Sequence, residues 1–319
     1  MPKHRITRRA VLGTAAAAWP LAIGSQAFSS SQTGEQRKVT VGIATNSFHE
    51  FTNQRMAEEL SQAGVHTAQL FLTQSDSNYW RYNGRNDLSD LTPQRCKDIA
   101  EAYRAAGVSI HSLGVYTNLI HPDEAELKAN LAYFEEMMKI GRQMGVDKFI
   151  TEAGHHESEG PAPRMAEYLQ GAVWERMVTV FKQLGKTARQ HGATVLVEPY
   201  FGGFFTSAKR TRVFLEEVDS PGIRALLDPA NLLEVNDLEE MFDQLGPWID
   251  CLHAKDRKLH TERGVAAGLG DIDYPKFITL AAQRTPAAPL ILEYVGAEDY
   301  KQALAHLRKN MKAVGVSEA

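Results

Sequence analysis

Between Lys38 and the C-terminus, short β-branched or apolar runs alternate with longer helical stretches eight times over. Few architectures accommodate that pattern. A strand followed by a helix returns the chain parallel to itself, so eight such units in strict alternation predict a single-domain α/β fold, a (β/α)8 TIM barrel. The runs that read as strands are Val39–Ala44, Thr67–Leu72, Ser109–Leu113, Lys148–Glu152, Thr194–Glu198, Ile223–Asp228, Ile249–His253 and Leu290–Tyr294. Helices are expected near 52–63, 92–106, 123–143, 165–191, 208–218, 237–244, 274–283 and 298–313. Gly64, Gly107, Gly145 and Gly192 each stand between a predicted helix and the next strand, where a left-handed cap is expected. The barrel domain is placed at 38–315, within a chain of 319 residues.

The start of the chain follows another logic. Lys3, Arg5, Arg8 and Arg9 precede the apolar run Ala10 to Ile23, which ends in Ser25-Gln26-Ala27, and no acid appears before Glu35. The run is short for a membrane span and its end has the small-x-small form of a cleavage site, so residues 1–27 read as a cleavable signal peptide. Thr7-Arg8-Arg9-Ala10-Val11-Leu12 resembles a twin-arginine signal, which implies a periplasmic or secreted protein with no stable membrane anchoring after cleavage. Residues 28–37, rich in Ser and Gln, read as a disordered leader. Loss of the signal removes four cations and no acid, taking the net charge from −4 to about −8. No basic stripe is visible, which argues against a nucleic-acid partner. Cys96 falls in a helical stretch and Cys251 on the barrel-facing parity of a strand; both are expected free and buried. A homo-oligomer is compatible with the sequence.

Four consecutive predicted strands end in a residue able to bind a metal: Glu198, Asp228, His253 and Glu293. Side chains alternate along a strand, so all four can face inward at one rim. A buried carboxylate needs compensation, and no matching Arg or Lys is expected at the opposing rim positions. One divalent cation would satisfy three carboxylates and an imidazole together; oxygen-rich ligation suits Mn2+ first, then Mg2+, Co2+ or Zn2+.

Val197-Glu198-Pro199, Leu227-Asp228-Pro229-Ala230-Asn231, Leu252-His253-Ala254-Lys255-Asp256, Gly268-Leu269-Gly270-Asp271-Ile272-Asp273 and Leu292-Glu293-Tyr294 together resemble the sugar phosphate isomerase/epimerase superfamily, the xylose isomerase-like TIM barrels. The resemblance implies a metal on Glu198, Asp228, His253 and Glu293, with Glu198 and Glu293 also acting as acid and base on opposite faces of a substrate. Two departures stand out. Epimerases often carry His where this chain has Asn231, and the substrate-binding Arg beyond the metal His is matched by Arg257 only with a shortened spacing, with Lys255 as competitor. Beyond that resemblance, Glu152, His155, His156, His111 and Trp80 are candidate substrate contacts by position, as are Asn46 and Phe48. The long connections Thr73–Leu91 and Ala254–Tyr274 both follow strand C-termini and are expected to wall the pocket.

The expected activity is that of an exported, divalent-metal-dependent isomerase or epimerase of a free or glycosidic keto-sugar, removing a proton beside a polarised carbonyl through an enediolate. A lyase or dehydratase acting on a 3-keto-glycoside or keto-inositol would begin with the same step. An abasic-site nuclease similar to endonuclease IV would call for further metal ligands and a basic face. A non-catalytic sugar-binding protein would move no proton.

Overall fold

The computed structural model describes residues 37–155, 165–261 and 263–319. The signal segment, most of the leader and His156 lie outside them.

In chain order the strands are β1 (Arg37–Val39), β2 (Val41–Ala44), β3 (Thr67–Leu70), β4 (Ser109–Gly114), β5 (Lys148–Thr151), β6 (Thr194–Val197), β7 (Ile223–Leu227), β8 (Ile249–Ala254), β9 (Asp256–Arg257), β10 (Gly264–Val265), β11 (Leu290–Leu292) and β12 (Val316–Glu318). Helices α1 (Asn53–Gln62), α2 (Pro93–Ala105), α3 (Glu124–Met144), α4 (Met165–Tyr168), α5 (Gly171–Gln190), α6 (Ala208–Val218), α7 (Pro229–Leu232), α8 (Leu238–Leu245), α9 (Tyr274–Arg284) and α10 (Tyr300–Ala313) lie between them. Strands β2 to β8 follow one another around a closed parallel barrel, and β11 closes it by pairing with both β8 and β2. The eight-stranded TIM barrel expected from the alternation is therefore the fold.

Local chemistry sets the helix starts. Thr52, Thr92, Asp123, Ser207, Asp237 and Asp273 each stand just before a helix and accept a hydrogen bond from a backbone N–H of its first turn. Gly145 ends α3 at φ 76°, a left-handed cap. Three features were not expected from the sequence. The stretch 165–191 divides into α4 and α5, because Gln170 is extended (ψ 140°) and begins a new helix. Pro229–Leu232 forms a helical turn directly after β7. Arg37–Val39 pairs in parallel with Val316–Glu318, bringing the margins of the predicted barrel domain into a two-stranded ribbon.

Two separate apolar layers result. The larger lies between barrel and helices; the smaller is the barrel interior, made of Ala44, Phe71, Tyr116, Ile150, Leu196, Leu226, Cys251 and Ile291. Ile150, Leu196, Leu226, Cys251 and Ile291 each precede by two residues a polar side chain at the strand tip: Glu152, Glu198, Asp228, His253 and Glu293. They form a dry floor beneath those tips, each fully buried side chain contributing about 1.5–3 kcal/mol. Cys251 belongs to this floor, Cys96 is buried on α2, and both are free. Phe48, expected at the pocket, instead packs in the outer layer against Phe51 and Tyr300.

Candidate metal centre

Glu198, Asp228, His253 and Glu293 converge at the C-terminal mouth of the barrel: one donor atom from each lies within 4.8 Å of all the others, and all four are buried. His253 is central. Its Nδ1 is 3.3 Å from Glu198 Oε1, 3.8 Å from Asp228 Oδ2 and 3.4 Å from Glu293 Oε2. Each donor owes its direction to strand parity, the floor residue two places earlier pointing the same way.

The shell behind these donors fixes their orientation. Nε2–H of His253 donates to Gln69 Oε1 at 2.8 Å, which turns Nδ1 toward the carboxylates. The Tyr116 hydroxyl donates to Glu198 Oε2 at 2.6 Å and Asn231 Nδ2 to Glu198 Oε1 at 2.9 Å. Asp228 Oδ1 accepts from the backbone N–H of Ala230 at 2.9 Å, so this residue also caps α7.

The sequence suggested no cation opposite these acids, and the structure corrects that: Lys255 Nζ lies 2.7 Å from Asp228 Oδ2 and 3.0 Å from Glu293 Oε2. Lys255 shares the inward parity of Cys251 and His253, so its ammonium reaches over the rim from the same strand line. Burial works against every charge here, but the opposite charges prevail. Glu293 is driven well below the usual carboxylate range by Lys255 and His253, and Asp228 is lowered chiefly by Lys255. Lys255 and His253 are correspondingly raised by the surrounding carboxylates.

A divalent cation fits this donor set. One ammonium, and at most one imidazolium, against three carboxylates still leaves net negative charge in the cage. His253 Nδ1 and Asp228 Oδ2, both buried, make no well-formed hydrogen bond: the imidazole meets the three carboxylates, and Asp228 Oδ2 meets Lys255, as ion-pair contacts alone. Buried polar atoms are rarely left in that state without an ion or water to receive them.

Around this centre stands a second group. Glu152, at the tip of β5, accepts from the Tyr82 hydroxyl at 2.8 Å, and the same hydroxyl lies 2.6 Å from His155 Nε2. Burial and the neighbouring Glu198 push the Glu152 carboxyl up to about 8. Burial also lowers the His155 imidazole below its ordinary value. Tyr82 belongs to the long connection after β3, which Asn83 staples to the segment after β5, its Oδ1 accepting from the His155 backbone N–H; Asn118, after β4, donates through Nδ2 to His155 O. That connection is therefore a wall of the mouth, as the sequence suggested. Trp80 contributes to it, packed edge-on against both Phe71 and Tyr116. Arg257 is buried, donating through Nε to Ala230 O and through Nη1 to Thr261 O, with Tyr200 and Phe201 against its guanidinium. Asn46 lies just past β2 with its Oδ1 buried.

His111 is not brought to this mouth. The charges it meets are Lys148, Asp250 and Asp147, the last two at or before strand starts, so it sits toward the opposite end of the barrel. Burial and Lys148 lower its imidazole to about 4. Two contacts were missed from sequence, Gln69 and Tyr116. Both had a signal, since Gln69 is the one amide within the run Thr-Ala-Gln-Leu-Phe and Tyr116 lies two residues beyond Gly114 on the inward parity.

Residues 57–310 match the Xylose isomerase-like TIM barrel family, and the chain belongs to it. No curated protein matches the chain in sequence. Among solved structures it is similar to 3-keto-D-glucoside 4-epimerase from E. coli in its apo form (15% identity, 85% of this chain and 100% of that one, TM-score 0.67). It is also similar to the probable 3-DHS dehydratase of Bacillus anthracis (17% identity, 86% and 98% covered, TM-score 0.64). A third likeness is to the IOLI protein solved with a zinc atom (16% identity, 86% and 98% covered, TM-score 0.67). At these identities the shared property is the fold; members of the family include epimerases, isomerases and a dehydratase.

Proposed function

We propose that this protein is an exported, divalent-metal-dependent sugar isomerase or epimerase that moves a proton at the carbon beside a keto-sugar carbonyl. One observation carries the reading: two glutamates, Glu198 and Glu293, flank the same imidazole at 3.3 and 3.4 Å, inside a cage with net negative charge and an apolar floor. A purely structural ion-pair network has no need for more buried acids than the cations beside them can neutralise.

A cation held by Glu198, Asp228, His253 and Glu293 would supply Lewis-acid polarisation of the substrate's carbonyl and neighbouring hydroxyl, Mn2+ being the metal best matched to these donors. The chain's own residues do the rest. Glu293 is kept ionised by Lys255 and His253 and is the base that accepts the substrate proton. Glu198, across His253, is steadied by Tyr116 and Asn231 and exchanges a proton on the other face. Lys255, between Asp228 and Glu293, faces developing negative charge on the substrate oxygens. The floor and the aromatic wall exclude water from the exposed carbanion. Residues 1–27 are read as the export signal, which places this chemistry in the periplasm or outside the cell and favours unphosphorylated sugars.

A second reading is favoured by Glu152. A carboxyl raised to about 8 is a neutral acid at physiological pH, and an isomerase has no evident use for a third one. A lyase does, because elimination from a 3-keto-glycoside or keto-inositol needs a donor for the departing oxygen.

The test is solvent exchange. The mature protein loaded with Mn2+ and incubated with keto-sugars and keto-glycosides in D2O is expected to place deuterium beside the carbonyl. Inversion marks an epimerase, carbonyl migration an isomerase and loss of a substituent a lyase. Glu198→Gln and Glu293→Gln are each expected to lower exchange by about 10²–10⁴ while remaining folded; full activity in either variant overturns the assignment.

A further inference from the structure

The described residues expose seven large hydrophobic side chains, and the only two aromatic ones, Tyr82 at 47% and Tyr294 at 41%, both belong to the mouth of the barrel. Exposed aromatic surface at a concave site is the informative departure from ordinary packing. Tyr294 follows Glu293 directly and holds φ at 57°, a left-handed conformation that an aromatic residue rarely adopts. An observed strain of this kind at a site is grounds for seeking a function. Its effect is positional: a tip residue of β11 would otherwise continue the strand, whereas here the ring is carried over the mouth until its centroid is 4.3 Å from Lys255 Nζ.

Tyr82 stands on the wall on the other side. Its hydroxyl is tied by Glu152 and His155, and its ring continues an aromatic row through Tyr116 at 6.1 Å and Trp80 at 6.3 Å. The next residue, Asn83, is also left-handed, at φ 52°, and its side chain fastens the loop to His155. The exposed face of Tyr82 is therefore held in place before any ligand arrives. Two fixed aromatic faces thus stand at the entrance, outside the ring of acids that would take the reacting carbonyl.

Resting on the metal-dependent keto-sugar reading above, we infer that Tyr82 and Tyr294 are specificity residues that grip a second, non-reacting ring, so that the substrate is a keto-glycoside bearing a ring-shaped aglycone rather than a free keto-sugar. Sugar and aryl rings both present a flat apolar face that such side chains receive at low entropic cost. Neutral ring recognition also agrees with the cations at this mouth: Lys255 is engaged by two carboxylates and Arg257 by two backbone carbonyls.

The experiment compares kcat/KM of the Mn2+-loaded protein for methyl 3-keto-glucoside, a 3-keto-disaccharide and a nitrophenyl 3-keto-glucoside. The two-ring substrates are expected to be preferred by roughly tenfold or more. Tyr82→Ala and Tyr294→Gly should each reduce that preference by roughly five- to tenfold, with the loss mainly in KM, whereas Tyr82→Phe, which keeps the ring, should retain most of it. Glycine suits a left-handed position, so Tyr294→Gly leaves the backbone path intact. A preference near one in the wild type, or one untouched by both ring deletions, overturns the inference. Calorimetric titration with the corresponding reduced, unreactive glycosides gives a second readout that needs no turnover. Roughly tenfold tighter binding of the two-ring compounds is expected, and equal affinity overturns the inference. Absence of exchange with such binding intact would instead count against the catalytic reading alone. A disaccharide bound better than the nitrophenyl glycoside identifies the second ring as a sugar, and the reverse order identifies it as an aryl group.

Discussion

Gln69 holds His253 from behind. The amide oxygen of Gln69, fully buried on β3, accepts the Nε2 proton of His253 at 2.8 Å, and this single contact sets which imidazole nitrogen faces the three carboxylates. A ligand whose orientation depends on one partner should bind metal less well without it. Gln69→Leu is expected to weaken Mn2+ binding by about 10- to 100-fold, measured by competition with a chelator, while the far-ultraviolet circular dichroism stays that of the wild type. Unchanged affinity would show that the imidazole is oriented by its carboxylate neighbours instead.

Lys255 is the built-in cation of the centre, so its removal should matter most when no metal is bound. Lys255→Met leaves Asp228 and Glu293 buried without their ammonium. Breaking one side of a buried pair costs about 3–5 kcal/mol, and that loss is expected in urea unfolding with EDTA present. With saturating Mn2+ the loss should be clearly smaller, because the metal replaces the missing charge. Equal losses under both conditions would mean that Lys255 and the metal answer to different groups.

The Glu152 carboxyl is raised from an ordinary value of 4.5 to about 8, chiefly by burial and then by Glu198. The folded state therefore holds a proton that the unfolded chain releases. Stability from this source is complete below about pH 4.5 and is lost as pH rises toward 8. The metal-free wild type should thus lose melting temperature across that window. Glu152→Gln, neutral throughout, should lose less, the gap widening as pH rises. Parallel melting curves for the two proteins from pH 5 to 8 would contradict this account.

Gly270 lies against the strand that carries the centre's outer residues. A Cβ at this position would meet Arg257 O at 2.5 Å, Arg257 N at 2.6 Å and, closer still, a side-chain oxygen of Asp256. Two of those three atoms are backbone, so the neighbour cannot rotate away. Gly270→Ala is expected to cost about 1–3 kcal/mol in denaturant unfolding and to disturb the β9 segment beside Lys255. A neutral effect would show that the connection after β8 yields more readily than its packing suggests.

Strand parity made the four ligands legible before any coordinates. Leu196 and Glu198, Leu226 and Asp228, Cys251 and His253, Ile291 and Glu293 are local pairs, and a two-residue repeat is written in the sequence itself. The same repeat would have disclosed Lys255 as a member of the cluster and Tyr116 as an inward side chain. What it could not state was which acid each would meet, since Tyr116 and Glu198 are 82 residues apart and Gln69 and His253 are 184 apart.

The alternation of eight strands with eight helices, the caps that begin those helices and the inward-facing tips were determined by the sequence alone, because each depends on residues within a few positions of one another. Barrel closure decided the rest. It brought β11 against β2, set Gln69 behind His253, Tyr116 against Glu198 and Lys255 between Asp228 and Glu293, carried Phe48 and His111 away from the mouth, and set Tyr82 and Tyr294 at its entrance. Such contacts depend on the shear and tilt with which the whole sheet closes, a property of all eight strands together that no local stretch of chain encodes.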